Sequence, residues 1–239
     1  MLVLLKYKLL GTECGSQMNN VALIVAAGRG SRMMQSLPKQ YLLLNNEMIL
    51  SHTIKLFISH NSIDAVVVVI NKDDLHLYDK AIFDISSEKL LPPSYGGNTR
   101  AASVRLGLED LSKNSPHNVI IHDAARPFCP PNLVDAVLAP LNSFDGAFAA
   151  LPVMDALWKI DNGCASHPIN RENVWRAQTP QAFQFQKILE AHSHGDESAK
   201  DDVEVALVSK LNIIAIQGSE INFKITTPED LRRAEAHFE

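Results

Sequence analysis

Val21-Ala22-Leu23-Ile24-Val25-Ala26, followed at once by Ala27-Gly28-Arg29-Gly30-Ser31-Arg32-Met33, is the stretch on which the fold turns. Six apolar residues without alternation are the pattern of a strand covered on both faces, as in a parallel sheet between helices. Residues 65–70 (AVVVVI), 119–121 (VII) and 146–151 (GAFAAL) repeat it. Between these runs lie helical patterns. Residues 49–58 put Ile49, Leu50, Ile54, Phe57 and Ile58 on one stripe, and 101–111 do the same with Val104, Leu108 and Leu111 after a cap at Asn98 or Thr99. Strands alternating with helices predict an α/β fold, a Rossmann-like, mostly parallel sheet flanked by helices. Binding residues then collect at the carboxyl ends of the strands.

Residues 153–179 break the alternation. Residues 157–160 and 174–177 read as two short strands around a polar stretch, 161–168, and so as a protruding β-hairpin arm. An arm that buries little within its own chain is expected to pack on a second copy, as a dimerisation arm. After it come helices at 185–191 and 203–209, strands at 213–216 and 223–225, and a last helix opened by Thr227-Pro228-Glu229-Asp230, a cap followed by proline and an acid. Residues 18–239 read as one domain with the arm at about 153–179. Residues 1–17 begin apolar, with Lys6 and Lys8 inside the run, the wrong order for a secretory signal. Either Met18 is the true start, or residues 1–17 are a dispensable extension.

Composition narrows the function. The 239 residues are 46% hydrophobic with a net charge of −5, which argues against nucleic-acid binding through general basicity. No apolar run reaches the roughly 18–20 residues of a membrane span. Cys14, Cys129 and Cys164 form no CxxC pair, neither a disulfide framework nor a zinc set, and suit free thiols in a cytoplasmic protein.

The glycine loop after the first strand is of neither common kind. Met33 stands where a dinucleotide fingerprint needs its third glycine, and no GK[ST] follows as in a Walker loop. Gly28 and Gly30 still let backbone N–H groups turn toward an anion, and Arg29, Arg32 and Lys39 add cations. A compact polyanion such as a triphosphate suits them. His122-Asp123-Ala124-Ala125-Arg126-Pro127 continues another strand. Asp123 there can hold Mg²⁺ through one carboxylate while phosphates supply further oxygens, and Arg126 suits a second phosphate. In Gly96-Gly97-Asn98-Thr99-Arg100-Ala101-Ala102-Ser103, paired glycines allow close approach to a flat base, with Ser103 at its edge; a capped loop is the alternative.

AAGRGSRM, PKQY, GGNTRAAS, HDAARPF, NVWRAQTPQAF and NFKITTPEDL occur in one order. Together they resemble the 2-C-methyl-D-erythritol 4-phosphate cytidylyltransferase family of the non-mevalonate isoprenoid pathway, over about residues 21–239. The resemblance implies a nucleotide-diphospho-sugar transferase type of fold and a homodimer whose arms reach into the neighbouring site. It implies transfer of CMP from CTP to the polyol phosphate, with Mg²⁺. Ala26, Ala27, Gly28, Arg29, Gly30, Arg32 and Lys39 would then cradle CTP, with Arg32, Lys39 and Lys224 catalytic. Gly97, Asn98 and Ser103 would face cytosine, Asp123 would hold the metal, and Ala124 and Arg126 would line the site. Arg171, Thr179 and Lys224 would contact the acceptor phosphate or the reacting α-phosphate, Arg171 in the other subunit.

Three stretches depart from the family pattern. Asn98 replaces an Asp, the arm reads Asp155-Ala156-Leu157-Trp158 in place of Asp-Thr, an apolar residue and Lys, and an acidic segment reads Asp201-Asp202-Val203-Glu204. They bear on the acceptor more than on CTP. Two other readings remain open at this point: CTP-dependent activation of another polyol phosphate such as ribitol 5-phosphate, and a nucleotide-binding dimer without turnover. Glu220 is a weaker candidate for a second metal ligand.

Overall fold

The computed structural model describes residues 18–29 and 37–238. Residues 1–17, Gly30 and Arg32 lie outside them. In chain order come β1 (Asn20–Val25), β2 (Leu43–Leu44), β3 (Glu47–Met48), α1 (Ile49–Ser59), β4 (Ala65–Ile70), α2 (Leu75–Ala81), β5 (Ser94–Tyr95), α3 (Arg100–Leu111) and β6 (Asn118–Asp123). There follow α4 (Pro131–Leu138), β7 (Gly146–Pro152), β8 (Leu157–Asp161), β9 (Cys164–Ile169), β10 (Trp175–Gln184), α5 (Phe185–His194), α6 (Asp202–Val208), β11 (Ile213–Gln217) and α7 (Pro228–Glu235).

Seven strands form one sheet in the order β11-β7-β10-β6-β1-β4-β5. Neighbours are parallel except at β10, which runs antiparallel to β6 and β7. The unbroken apolar runs follow from coverage on both faces. Ala22 and Ile24 of β1 pack with Ile54 and Phe57 of α1, Tyr78 of α2 and Val134 of α4. Val21 and Leu23 point the other way, toward Val104 and Leu108 of α3, Ile188 of α5 and Val205 of α6. From β1 the chain moves outward to β4 and β5. It then returns through α3 to set β6 on the opposite side of β1. This reversal opens a crevice at the carboxyl ends of the central strands.

The arm is built differently from the expected hairpin. β8 pairs with β9, from Leu157 opposite Ile169 to Asp161 opposite Cys164. The turn is Asn162-Gly163, both with positive φ (52° and 82°), the conformation of a two-residue hairpin loop. The stretch expected as a polar loop therefore contains the second strand. A turn this short closes the ladder locally, whereas pairing 157–160 with 174–177 would need a long loop. Trp175 begins β10 instead and faces Pro152 of β7. Thr179, expected at the arm's end, is buried inside the main sheet.

β10 was expected only in part. It holds Pro180 and the buried polar residues Gln178 and Gln181, which reads poorly as a central strand. The proline is accommodated because the β7 ladder is interrupted between Ala177 and Gln181. Residues 223–225 form no strand. The Ile225 N–H donates to the Ala125 carbonyl (2.9 Å), and Ile225 is buried against Leu42, Leu44 and Ile49. α7 opens as the sequence indicated, with Thr227 and Asp230 forming a reciprocal capping box.

Helix α3 lies unusually close to the sheet. A Cβ on Gly107 would stand 2.6 Å from Val69 Cγ2 and 2.9 Å from Leu23 Cδ1. Gly107→Ala gains about 1 kcal/mol of helix propensity but overpacks this contact by about 1–3 kcal/mol. Thermal unfolding of the variant is expected about 2–4 °C below wild type. A higher Tm would show that the neighbours yield without loss.

Candidate active site

A cleft of about 540 Å³ opens where β1, β4 and β6 end. The loop after β1, the turn at Lys39-Gln40, Asn71 after β4, the turn before α3, the residues after β6 and the segment carrying Lys224 line it. Gln40 holds the first in shape. It is buried in the short 3₁₀ turn Lys39–Tyr41 and donates Nε2 to the carbonyls of Ala26 (2.5 Å) and Gly28 (3.0 Å). Among the described residues, none comes within 4 Å of where a Cβ on Gly28 would stand, and Gly28 lines the cleft. Lys39 also lines the cleft and donates Nζ to the Ile225 carbonyl at 2.9 Å. Arg29 turns to Asp74 (2.7 Å) and Asp73 (3.3 Å).

The Gly96-Gly97 turn has a packing reason of its own. A Cβ on Gly96 would lie 2.6 Å from Ala27 Cβ, so this glycine lets two cleft loops touch. Thr99 is the cap of α3, its Oγ1 accepting from the Ala102 N–H. Ser103, expected at a base edge, is buried and closes the turn: it donates to the Thr99 carbonyl (2.8 Å) and accepts from the Gly97 N–H (3.2 Å). Gly97 and Asn98 line the cleft, Asn98 exposed at the rim.

Asp123 ends β6 at the floor. Three cations surround its carboxylate: Lys224 Nζ at 2.9 Å, Arg126 Nε at 3.3 Å and Arg100 Nε at 3.5 Å. Burial alone would raise its pKa. The attraction of Lys224, then of Arg100 and Arg126, outweighs burial and holds the carboxyl well below the usual carboxylate range. Its own N–H donates to Thr179 Oγ1 at 3.0 Å. Asn222 knits the surroundings, its carbonyl accepting from Arg126 Nη1 at 2.7 Å and its Nδ2 donating to the Thr179 carbonyl at 2.8 Å. Ala124 is fixed by its backbone, which accepts from Thr53 Oγ1 at 2.8 Å. Beneath the floor, burial pushes the His122 pKa down to about 4, so its ring is neutral near pH 7.

The sequence-derived residues thus fall into groups. Ala26, Ala27, Gly28, Arg29, Lys39, Gly97, Asn98, Ser103, Asp123, Ala124 and Lys224 line one cleft. Arg126 and Thr179 support its floor from beneath. Arg171 stands exposed just beyond β9, outside the cleft lining. Glu220 is an exposed partner of Arg176 at 2.6 Å. Sequence reasoning passed over Arg100 and Gln40. The signal for each was its place, directly after GGNT and within PKQY.

A divalent cation is the group this chemistry implies. Among the described residues no cluster of three His, Cys, Asp or Glu could hold one alone. Asp123, an ionised carboxylate facing the cleft, fits the pattern of one protein carboxylate completed by phosphate oxygens.

Comparison with known proteins agrees with this geometry. The family profile described as IspD, 2-C-methyl-D-erythritol 4-phosphate cytidylyltransferase, matches residues 20–239. A Wolbachia pipientis wMel protein named bifunctional enzyme IspD/IspF is 40% identical over 95% of this chain and 57% of its own length. The chain therefore spans little more than half of such bifunctional relatives. A Cereibacter sphaeroides (strain KD131) protein named 2-C-methyl-D-erythritol 4-phosphate cytidylyltransferase is 41% identical over 91% of this chain and 96% of its own length. A crystal structure of 4-diphosphocytidyl-2C-methyl-D-erythritol synthase superposes with a TM-score of 0.81 at 28% identity, covering 94% of this chain and all of that one. The Thermus thermophilus cytidylyltransferase gives 0.72 at 28% identity, covering 90% of this chain and 97% of that one. Motif order, sheet topology and a near full-length profile match converge, and the chain belongs to the 2-C-methyl-D-erythritol 4-phosphate cytidylyltransferase family.

Proposed function

We propose that the chain transfers CMP from CTP to 2-C-methyl-D-erythritol 4-phosphate, releasing pyrophosphate. The observation that carries this reading is the Asp123 carboxylate, ringed by Lys224, Arg126 and Arg100 on the floor of a cleft whose opposite wall is the glycine loop. These three cations face two buried carboxylates, Asp123 and, through Arg100, Asp202. A nucleoside triphosphate brings several negative charges into their reach.

The acceptor needs no deprotonation by the protein. Its second phosphate pKa is about 6, so it is largely a dianion at pH 7. One acceptor oxygen bonds to the α-phosphorus in line, the bond from the α-phosphorus to the bridging oxygen breaks, and the electron pair leaves with pyrophosphate. Among the described residues, no His or Cys lines the cleft to act as a base. Catalysis is then alignment and charge neutralisation. Lys39 and Lys224 stabilise negative charge on the α-phosphoryl group and the leaving group, together with Arg32, which lies outside the described residues. Arg126 and Thr179 hold Asp123 in register. Mg²⁺ held by Asp123 would supply charge neutralisation across the phosphates.

The arm supports a homodimer. Trp158, Ile160 and Ile169 are 53%, 56% and 45% exposed on a hairpin that packs on little of its own chain. In a dimer the partner's Arg171 would serve the acceptor phosphate. A cytoplasmic location is consistent with the free Cys129 and Cys164 and with the lack, among the described residues, of a helix long and apolar enough to cross a membrane.

Pyrophosphate release by the purified chain with CTP and Mg²⁺ is expected to depend on added 2-C-methyl-D-erythritol 4-phosphate. Equal release with ribitol 5-phosphate would move the acceptor assignment, and CTP binding without release would indicate a non-catalytic relative. Lys39→Ala and Lys224→Ala are each expected to lower kcat about 100-fold or more, with Tm measured in parallel. A fall below about tenfold in a folded variant would remove that lysine from the catalytic set. Ile160→Asp should convert the dimer to monomer in sedimentation velocity and lose activity with it. A fully active monomer would show that the arm serves only its own chain.

A further inference from the structure

Behind the cleft lies a chain of charge that the transfer reaction does not itself require. Arg100 lines the cleft and reaches backward, its Nη2 standing 2.8 Å from Asp202 Oδ2. Asp202, in the first turn of α6, faces His192 of α5, whose Nε2 is 3.2 Å from Oδ1. The side chains of Asp202 and His192 are 1% and 2% exposed, so neither touches the cleft. The Asp202 N–H is also fixed, donating to Gln181 Oε1 of β10 at 3.2 Å.

We propose that Asp202 and His192 are positioning residues for the nucleotide, acting through Arg100. The inference rests on the cleft being the CTP site and adds two residues to it.

Three observations carry it. First, Arg100 is shared between two carboxylates and is held unequally, 2.8 Å from Asp202 but 3.5 Å from Asp123. Asp123 has two further cations, so Asp202 is the firmer anchor. When Asp123 turns to a cation or to substrate, Asp202 still holds the guanidinium. Second, burying an ion pair costs desolvation that apolar residues of similar size avoid, so stability alone is a weak reason for one between α3 and α6. Third, an acceptor-only carboxylate fixes its orientation through its donors. His192 Nε2 bonds one oxygen at 3.2 Å and Arg100 Nη2 faces the other as an ion pair at 2.8 Å, which draws the guanidinium toward Asp202. A planar guanidinium held in this way presents its remaining N–H groups in a set direction, which suits phosphate oxygens.

The test measures equilibrium binding of Mg–CTP to the full chain, with KM for CTP, KM for the acceptor, kcat and Tm. Asp202→Asn is expected to weaken CTP binding about tenfold, the scale of one hydrogen bond to a charged group, and to raise KM for CTP while leaving KM for the acceptor unchanged. In an Arg100→Gln background, the same change is expected to add less than about twofold. Because Asp202→Asn can fail to fold, His192 gives an independent route. His192→Leu removes the donor and should weaken CTP binding, whereas His192→Gln restores a side-chain N–H and should recover most of the loss. A purely structural role would lower Tm and the active fraction with KM for CTP unchanged, and that pattern overturns the proposal. So does an equal loss with and without Arg100, or identical behaviour of His192→Leu and His192→Gln. If wild-type chain binds no CTP, the assignment of the cleft fails, an outcome distinct from wild type that binds and variants that bind equally.

Discussion

The carboxylate of Asp123 is taken out of water at the end of a central strand, and cations from three segments converge on it. Lys224 arrives from the stretch before α7, Arg126 from the turn just after β6, and Arg100 from the first turn of α3. An unpaired carboxylate there would be protonated or would pull in water. The pairing keeps it ionised, and it also ties the loops together: with the anion in place, the ends of β6, α3 and the C-terminal segment must meet. Asn222 and Thr179 complete the arrangement by bonding to one another and to groups of this cluster. The cleft owes its shape to this charge balance as much as to the packing beneath it.

The packing beneath was largely legible. β1 and β4 read as unbroken apolar runs because both of their faces meet helices, and alternate residues divide between the two sides of the sheet. The stripes of α1 and α3 read for the same reason. β10 reads badly because its buried positions include two glutamines and a proline, whose compatibility with a strand depends on partners distant in sequence: Gln178 donates to the Ser219 carbonyl at 3.0 Å. The arm was misregistered although its signal was present. Asn162-Gly163 is a two-residue hairpin turn, but the residues after it, which form the second strand, carry no apolar pattern. β9 is exposed along its whole length, so no apolar alternation marks it.

At the site, charged residues that line the cleft are easier to recognise in the sequence than residues that hold other residues. Lys39, Asp123 and Lys224 announce themselves through charge beside glycines and strand ends. Gln40 acts on two backbone carbonyls, and Asp202 lies far along the chain from the arginine it faces. No local pattern encodes such contacts. Ser103 combines both: it lines the cleft, and its hydroxyl also closes the turn before α3.

β10 joins two parts of the molecule that answer to different demands. Its first residues, from Trp175, face Pro152 at the base of the arm, and its middle carries Thr179 to the backbone of Asp123. Held on one side by β6 and on the other by β7, the strand is a ruler with the site at one mark and the arm at another. A residue inserted between Trp175 and Thr179 would invert the side chains of one mark relative to the other. A residue inserted at the Asn162-Gly163 tip would leave every mark where it stands. An arm lengthened, shortened or redecorated at its tip would therefore leave the gauge of the site unchanged.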